Sequence, residues 1–164
     1  MIHISAEAVN LRSPYKVKQE DEMIFSFKTK HGIKYSVGFV ADVSFFDEGV
    51  YQFFINNQSG RTSRVDRDIQ ETVRVIIEEF FAQKESVMLY ICDTTDMRQE
   101  YRDRLFKIWY HTYEQSDAYM LYSEGMKIDN VLYFTSLLMR KDHPLHIEVF
   151  KAFHNFITEH SQEG

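Results

Sequence analysis

A chain of 164 residues and 19.6 kDa is long enough for one domain with a sizeable core, and two domains in that length would each be marginal. With 44% hydrophobic and 15% aromatic residues, and only two prolines and six glycines, it does not have the composition of a disordered chain. A formal charge of −6 argues against sequence-independent binding to nucleic acid, which draws its affinity from Lys and Arg on phosphates.

The single cysteine, Cys92, cannot form an internal disulfide, and no Cys-x-x-Cys pair points to zinc. No stretch of 18 apolar residues runs together, and the N-terminus lacks a basic start followed by an apolar core. The expected location is the cytoplasm, with no membrane partner.

Taken in order, residues 1–14 read as a leader of uncertain structure, ending at Ser13-Pro14. From Met23 the pattern has period two: Met23, Phe25 and Phe27, then, after His31-Gly32, Ile33, Tyr35, Val37 and Phe39. This predicts a hairpin with a two-residue turn in which Gly32 supplies a positive φ. A third strand is expected over Val50 to Ile55. The polar loop that follows carries Arg61, Arg64 and Arg67, a spacing of solvated loops and, less often, of anion or partner contacts.

Asp68 and Glu71 form a capping-box pattern ahead of Ile69, Val73, Ile76, Ile77 and Phe80, whose spacing predicts a helix lying on the sheet. Val87 to Cys92 is an uncharged strand, and a second helix is predicted from Asp96 to Ser116. Two further strands, near Ala118 to Ser123 and Asn130 to Met139, meet at turn residues around Gly125 and Asp129-Asn130. A last helix starts near Asp142-His143-Pro144 and directs Leu145, Val149, Phe153, Phe156 and Ile157 inward. The predicted fold is a single α+β domain over 1–164, a mainly antiparallel sheet of about six strands with three helices in the order β-β-β-α-β-α-β-β-α.

The junction from Val87 to Trp109 is the candidate site, because a strand end and a helix N-terminus both present unpaired backbone groups. In helical projection from Met97, Arg98 and Arg102 fall at about 100° and about 140°, inside the apolar arc of Tyr101, Leu105, Ile108 and Trp109. Two inward guanidiniums require anionic partners. Asp93 and Asp96 supply them in a structural ion-pair cluster; alternatively, Arg98 and Arg102 cradle an anionic ligand that the aspartates orient. Cys92 reads as an inert thiol ending an apolar strand. His143 and His146 are three apart, but His154 lies about 12 Å further along a helix, so no histidine metal site is expected. His146, in the apolar arc, reads as a hydrogen-bonded core histidine. No Ser-His-Asp grouping, phosphate loop or cofactor motif is present, so no catalytic residues and no cofactor are assigned.

Two resemblances emerge from these residues. The hairpin Phe25-Ser26-Phe27-Lys28-Thr29 with Gly32 and Tyr35-Ser36-Val37, then Thr72-Val73, then Cys92-Asp93 with Asp96, Arg98, Arg102 and Leu105-Phe106, resembles a family of short uncharacterised bacterial proteins, a domain of unknown function; it implies no activity. The order of elements is similar to the central part of GNAT N-acetyltransferases. Those enzymes hold the acetyl-CoA pyrophosphate on amides at a helix start through an Arg/Gln-x-x-Gly-x-Gly/Ala loop. The matching stretch here, Arg64-Val65-Asp66-Arg67-Asp68-Ile69, has aspartates and no glycine, which would repel a pyrophosphate.

The expectation from sequence is a non-catalytic module that binds or regulates a partner protein or itself, supported by an aromatic excess suited to interfaces. The alternative is a divergent GNAT-like acyltransferase or anionic-ligand binder using the surroundings of Cys92-Asp93.

Overall fold

The computed structural model describes residues 3–59, 66–83, 85–92 and 116–160. Seven strands, β1 (Lys18–Asp21), β2 (Ile24–Lys28), β3 (Lys34–Ala41), β4 (Val50–Asn57), β5 (Val87–Cys92), β6 (Tyr119–Ile128) and β7 (Val131–Arg140), follow the hydrogen-bonding order β1-β2-β3-β4-β5-β7-β6. With them come three described α-helices, α1 (Ala6–Asn10), α2 (Arg67–Phe81) and α3 (His146–His160). The class is α+β and the sheet is mostly antiparallel, as the sequence implies; β4 and β5 run parallel. The seventh strand is β1, and α1 occupies the leader. The helix predicted over 96–116 lies outside the described residues. Backbone contacts group the chain into two compact units, Met1–Val40 with Phe53–Gln83, and Ala41–Gln52 with Lys84–Gly164.

In the first unit, Ser5 caps α1 by accepting from the Ala8 amide at 3.1 Å. Asn10 then acts like a strand residue: its side-chain oxygen accepts from Val17 N at 2.7 Å and its amide donates to Val17 O at 3.0 Å. The leader is thereby tied down, with Ile4 and Val9 buried. The β2–β3 hairpin pairs Phe25 with Val37 and Phe27 with Tyr35 on one face. Its turn differs from the expected two-residue form. Gly32 N donates to Thr29 O and Thr29 N to Ile33 O, with φ +75° at Gly32 alone, which makes a three-residue loop closed by a glycine bulge. Thr29 Oγ1 accepts from the amides of His31 and Ile33 and stabilises it.

Helix α2 is capped by Asp66, not by the predicted Asp68–Glu71 box: the Asp66 carboxylate accepts from Asp68 N at 2.8 Å. The buried face is Thr72, Val75, Ile76, Ile77, Phe80 and Phe81, so the helix is turned from the expected stripe and leaves Ile69 and Val73 half-buried. Two contacts account for the rotation. Phe80 stacks on Phe39 with centroids 4.2 Å apart, and the Thr72 hydroxyl is fully satisfied inside, donating to Asp68 O and accepting from Tyr15 N.

In the second unit, Val50, Tyr51 and Gln52 pair with Val87, Met88 and Leu89. Asp42 shapes the preceding loop by accepting from Ser44 N and from the Gln52 amide, each at 2.8 Å. β6 and β7 form a ten-pair ladder closed by Asp129 and Asn130, both with positive φ (51° and 66°), a two-residue hairpin turn of the type that follows strand twist. Gly125 is therefore a strand residue opposite Phe134, not part of the turn. Val50, Val87, Leu89, Met126, Leu137 and Met139 form a core with Val149, Phe153 and Ile157 of α3, and Phe45 packs on Phe153 and Phe156. Leu145, expected inward, precedes the helix and is exposed, its amide donating to His143 Nδ1.

Candidate functional site

Of the predicted cluster, Asp93, Asp96, Arg98 and Arg102 all lie outside the described residues, as do Arg61 and Arg64. The strand that leads to the cluster is described: β5 runs to Cys92, whose backbone pairs with Phe134 of β7. Arg67 is the first residue of α2 and is exposed.

The α2 start can be built from the residues upward. Tyr15 stacks on Phe27, and its hydroxyl donates to the Asp66 carboxylate and accepts from Lys30 N at 3.3 Å. Burial alone would raise the Asp66 carboxyl, but the Tyr15 hydroxyl and the Asp68 amide, with Lys30 nearby, outweigh it and hold its pKa below the ordinary value. Burial, reinforced by the bond to Asp66, pushes the Tyr15 phenol up. The start of α2 is thus occupied by a carboxylate already bonded to the Asp68 amide. Nothing in the sequence marks Tyr15 as its partner, 51 residues away.

A second polar group lies along α3 and β6. Tyr122 and His146 meet through the phenol oxygen and Nε2 at 2.8 Å, Phe150 packs on Tyr122 with centroids 4.2 Å apart, and His154 Nδ1 contacts Glu124 Oε1 at 2.9 Å. Burial raises the Tyr122 pKa. His146, Phe150 and His154 recur every fourth residue and Tyr122 and Glu124 every second, a pattern visible in the sequence, although their pairing is not. His146 is hydrogen-bonded as expected, but it is the first residue of α3 and only half-buried, not a core histidine. His143 is buried apart from it: Nδ1 accepts from Leu145 N at 2.9 Å, which leaves Nε2 to donate to Glu85 O at 3.1 Å.

Among the described residues no group of three His, Cys, Asp or Glu side chains is placed to hold a metal ion, and no described helix is long and apolar enough to cross a membrane. Every described Tyr and Phe is buried or half-buried. The exposed large apolar side chains are aliphatic: Leu11, Val40, Val43, Leu145 and Ile147.

No curated protein and no solved structure matches the chain. A family model described as a family of unknown function, DUF6169, matches residues 65–155, which run from the cap of α2 into α3 and contain the Asp93 to Arg102 stretch. That is 91 of the 164 residues, and the chain belongs to this family.

Proposed function

We propose that the chain is a non-catalytic cytoplasmic module that binds a partner protein or regulates one. The observation that carries this reading is the exposure of Val43, Leu145 and Ile147 in the second unit, at 73%, 45% and 63%; the aromatic excess does not add to it, because every described Tyr and Phe is buried or half-buried. The polar groups described above support it, since Asp66, His143, His146 and His154 are each engaged within the fold. The test is capture from the native cell by the intact chain and by a Leu145→Glu/Ile147→Glu variant. A protein retained by the first and lost with the second is expected; retention of nothing above a blank matrix would sink the idea.

The alternative is an acyltransferase-like enzyme or binder of an anionic ligand beside Cys92-Asp93, using Arg98 and Arg102. Its support is the order of antiparallel strands, helix α2, strand β5 and final hairpin; Asp66 at the α2 start counts against acetyl-CoA. A rise in melting temperature with acetyl-CoA or inorganic phosphate would favour it by mass action.

A further inference from the structure

We infer that the outer face of β1, β2 and β3 is a docking surface for an acidic segment of a partner protein, one of whose carboxylates sits on Ser36 beside Lys28 and Lys34. The register brings these side chains together. Ser26 lies directly opposite Ser36 and Lys28 directly opposite Lys34, so the four share one face of the β2–β3 ladder, and Lys18 of β1, opposite Ser26, shares it too. Phe25, Phe27 and Tyr35 point to the other face and are buried. Lys18, Lys28 and Lys34 are exposed, whereas Ser26 and Ser36 are 4% and 8% exposed, which makes a floor of hydroxyls walled by ammonium groups. From Met23 to Ala41 the chain carries Lys28, Lys30 and Lys34 and no Asp or Glu, on a chain whose net charge is −6.

One half of this floor already holds the chemistry it fits. The Ser26 hydroxyl donates to Glu20 Oε1 at 2.6 Å, and that bond, with Lys18 and Lys34 nearby, outweighs burial and holds the Glu20 carboxyl below its ordinary value. The Ser36 half has the same parts and no carboxylate. Its hydroxyl has no hydrogen-bond partner among the described residues, and Lys28 makes no ion pair among them. Like charges directly opposite are destabilising, so the Lys28–Lys34 pair is a cost that a bound carboxylate removes. Cross-strand neighbours on one face have Cβ atoms about 4.5–5.5 Å apart, which puts a carboxylate on Ser36 within reach of both lysines. A small acid is held in a concave pocket, whereas exposed lysines spread over a sheet face suit a chain with several carboxylates. Nucleic acid fits less well: the aromatic rings on which bases would stack lie on the other face, and the net charge repels phosphates.

This surface belongs to the first unit, whereas Val43, Leu145 and Ile147 belong to the second, so either reading can fail without the other. The test is fluorescence anisotropy of a fluorescein-labelled peptide of alternating Glu and Ser, titrated with the intact chain at low ionic strength. Binding is expected, weakening as salt is added, with no binding of the matching Gln-Ser peptide. Lys28→Gln/Lys34→Gln is expected to weaken it by at least about tenfold and Ser36→Ala by about three- to tenfold, the worth of one hydrogen bond. Lys151→Gln, at an exposed position of α3, is expected to leave it unchanged. All variants should keep the far-ultraviolet circular dichroism of the folded chain, and the double variant should melt no lower, since it removes a like-charge pair. An unchanged anisotropy at every concentration overturns the proposal. So does an equal loss with Lys151→Gln, full affinity with Ser36→Ala, or tighter binding of a labelled oligothymidylate than of the peptide.

Discussion

Asp66 is the residue whose chemistry differs most from what its neighbours in the sequence imply. Its folded pKa lies below the ordinary value of 3.8, so the stability it contributes is present above the unfolded pKa and is lost as pH falls through the folded one. Asp66→Asn keeps a side-chain acceptor for the Asp68 amide but removes the ionisation. The urea midpoints of the two proteins are therefore expected to differ at neutral pH and to converge in acid. Asp66→Ala also removes the cap and is expected to lose about 1 kcal/mol at neutral pH. Thr135 presents the opposite case: it is 2% exposed, lies between Ile91 and Glu124 in the sheet, and its Oγ1 has no hydrogen-bond partner among the described residues. Thr135→Val replaces an unsatisfied hydroxyl by a methyl of similar size, and a gain of roughly 1 kcal/mol in chemical denaturation is expected.

At the scale of elements, the β2–β3 hairpin depends on one close approach. A Cβ at Gly38 would meet Met23 O at 2.6 Å and Ile24 Cα at 3.0 Å, both backbone atoms, so the strands would have to part. Gly38→Ala is expected to destabilise the chain by about 1–3 kcal/mol in urea, the usual range for overpacking. The hairpin itself was legible, because Phe25, Phe27, Tyr35, Val37 and Phe39 alternate cleanly; its loop was not, because Thr29 closes it with side-chain bonds that periodicity does not report. Helix α2 repeats the lesson. Its existence follows from the 3.6-residue spacing, whereas its rotation follows from Phe39 and Tyr15, which come from elsewhere in the chain.

At the scale of the whole molecule, the N-terminal segment is part of the first unit and not an appendage. Ile4 and Val9 are buried, Asn10 holds Val17, and Arg12 reaches Glu78 and Glu79 of α2 at 2.6 and 3.0 Å. Removing residues 1–12 is expected to lower the unfolding free energy by at least about 2 kcal/mol, from lost burial of the two aliphatic side chains alone. An unchanged urea midpoint would show that these contacts contribute nothing. The exposed Arg12 pairs contribute little by comparison.

Sequence alone determined the class, the six main strands, helices α2 and α3 and the family likeness, because alternation at two and recurrence at 3.6 residues record which face of each element is buried. The candidate cluster of Asp93, Asp96, Arg98 and Arg102 is an expectation from helical projection alone, and its residues lie outside the described ones. Only the tertiary structure decided that Asp66 caps α2, that Tyr15 and Thr72 secure it, that His146 meets Tyr122, and that β7 separates β5 from β6. The bonds of Tyr15 to Asp66 and Thr72 and of Tyr122 to His146 join residues 24 to 57 positions apart, and hydrogen bonds over such separations leave no period in a sequence.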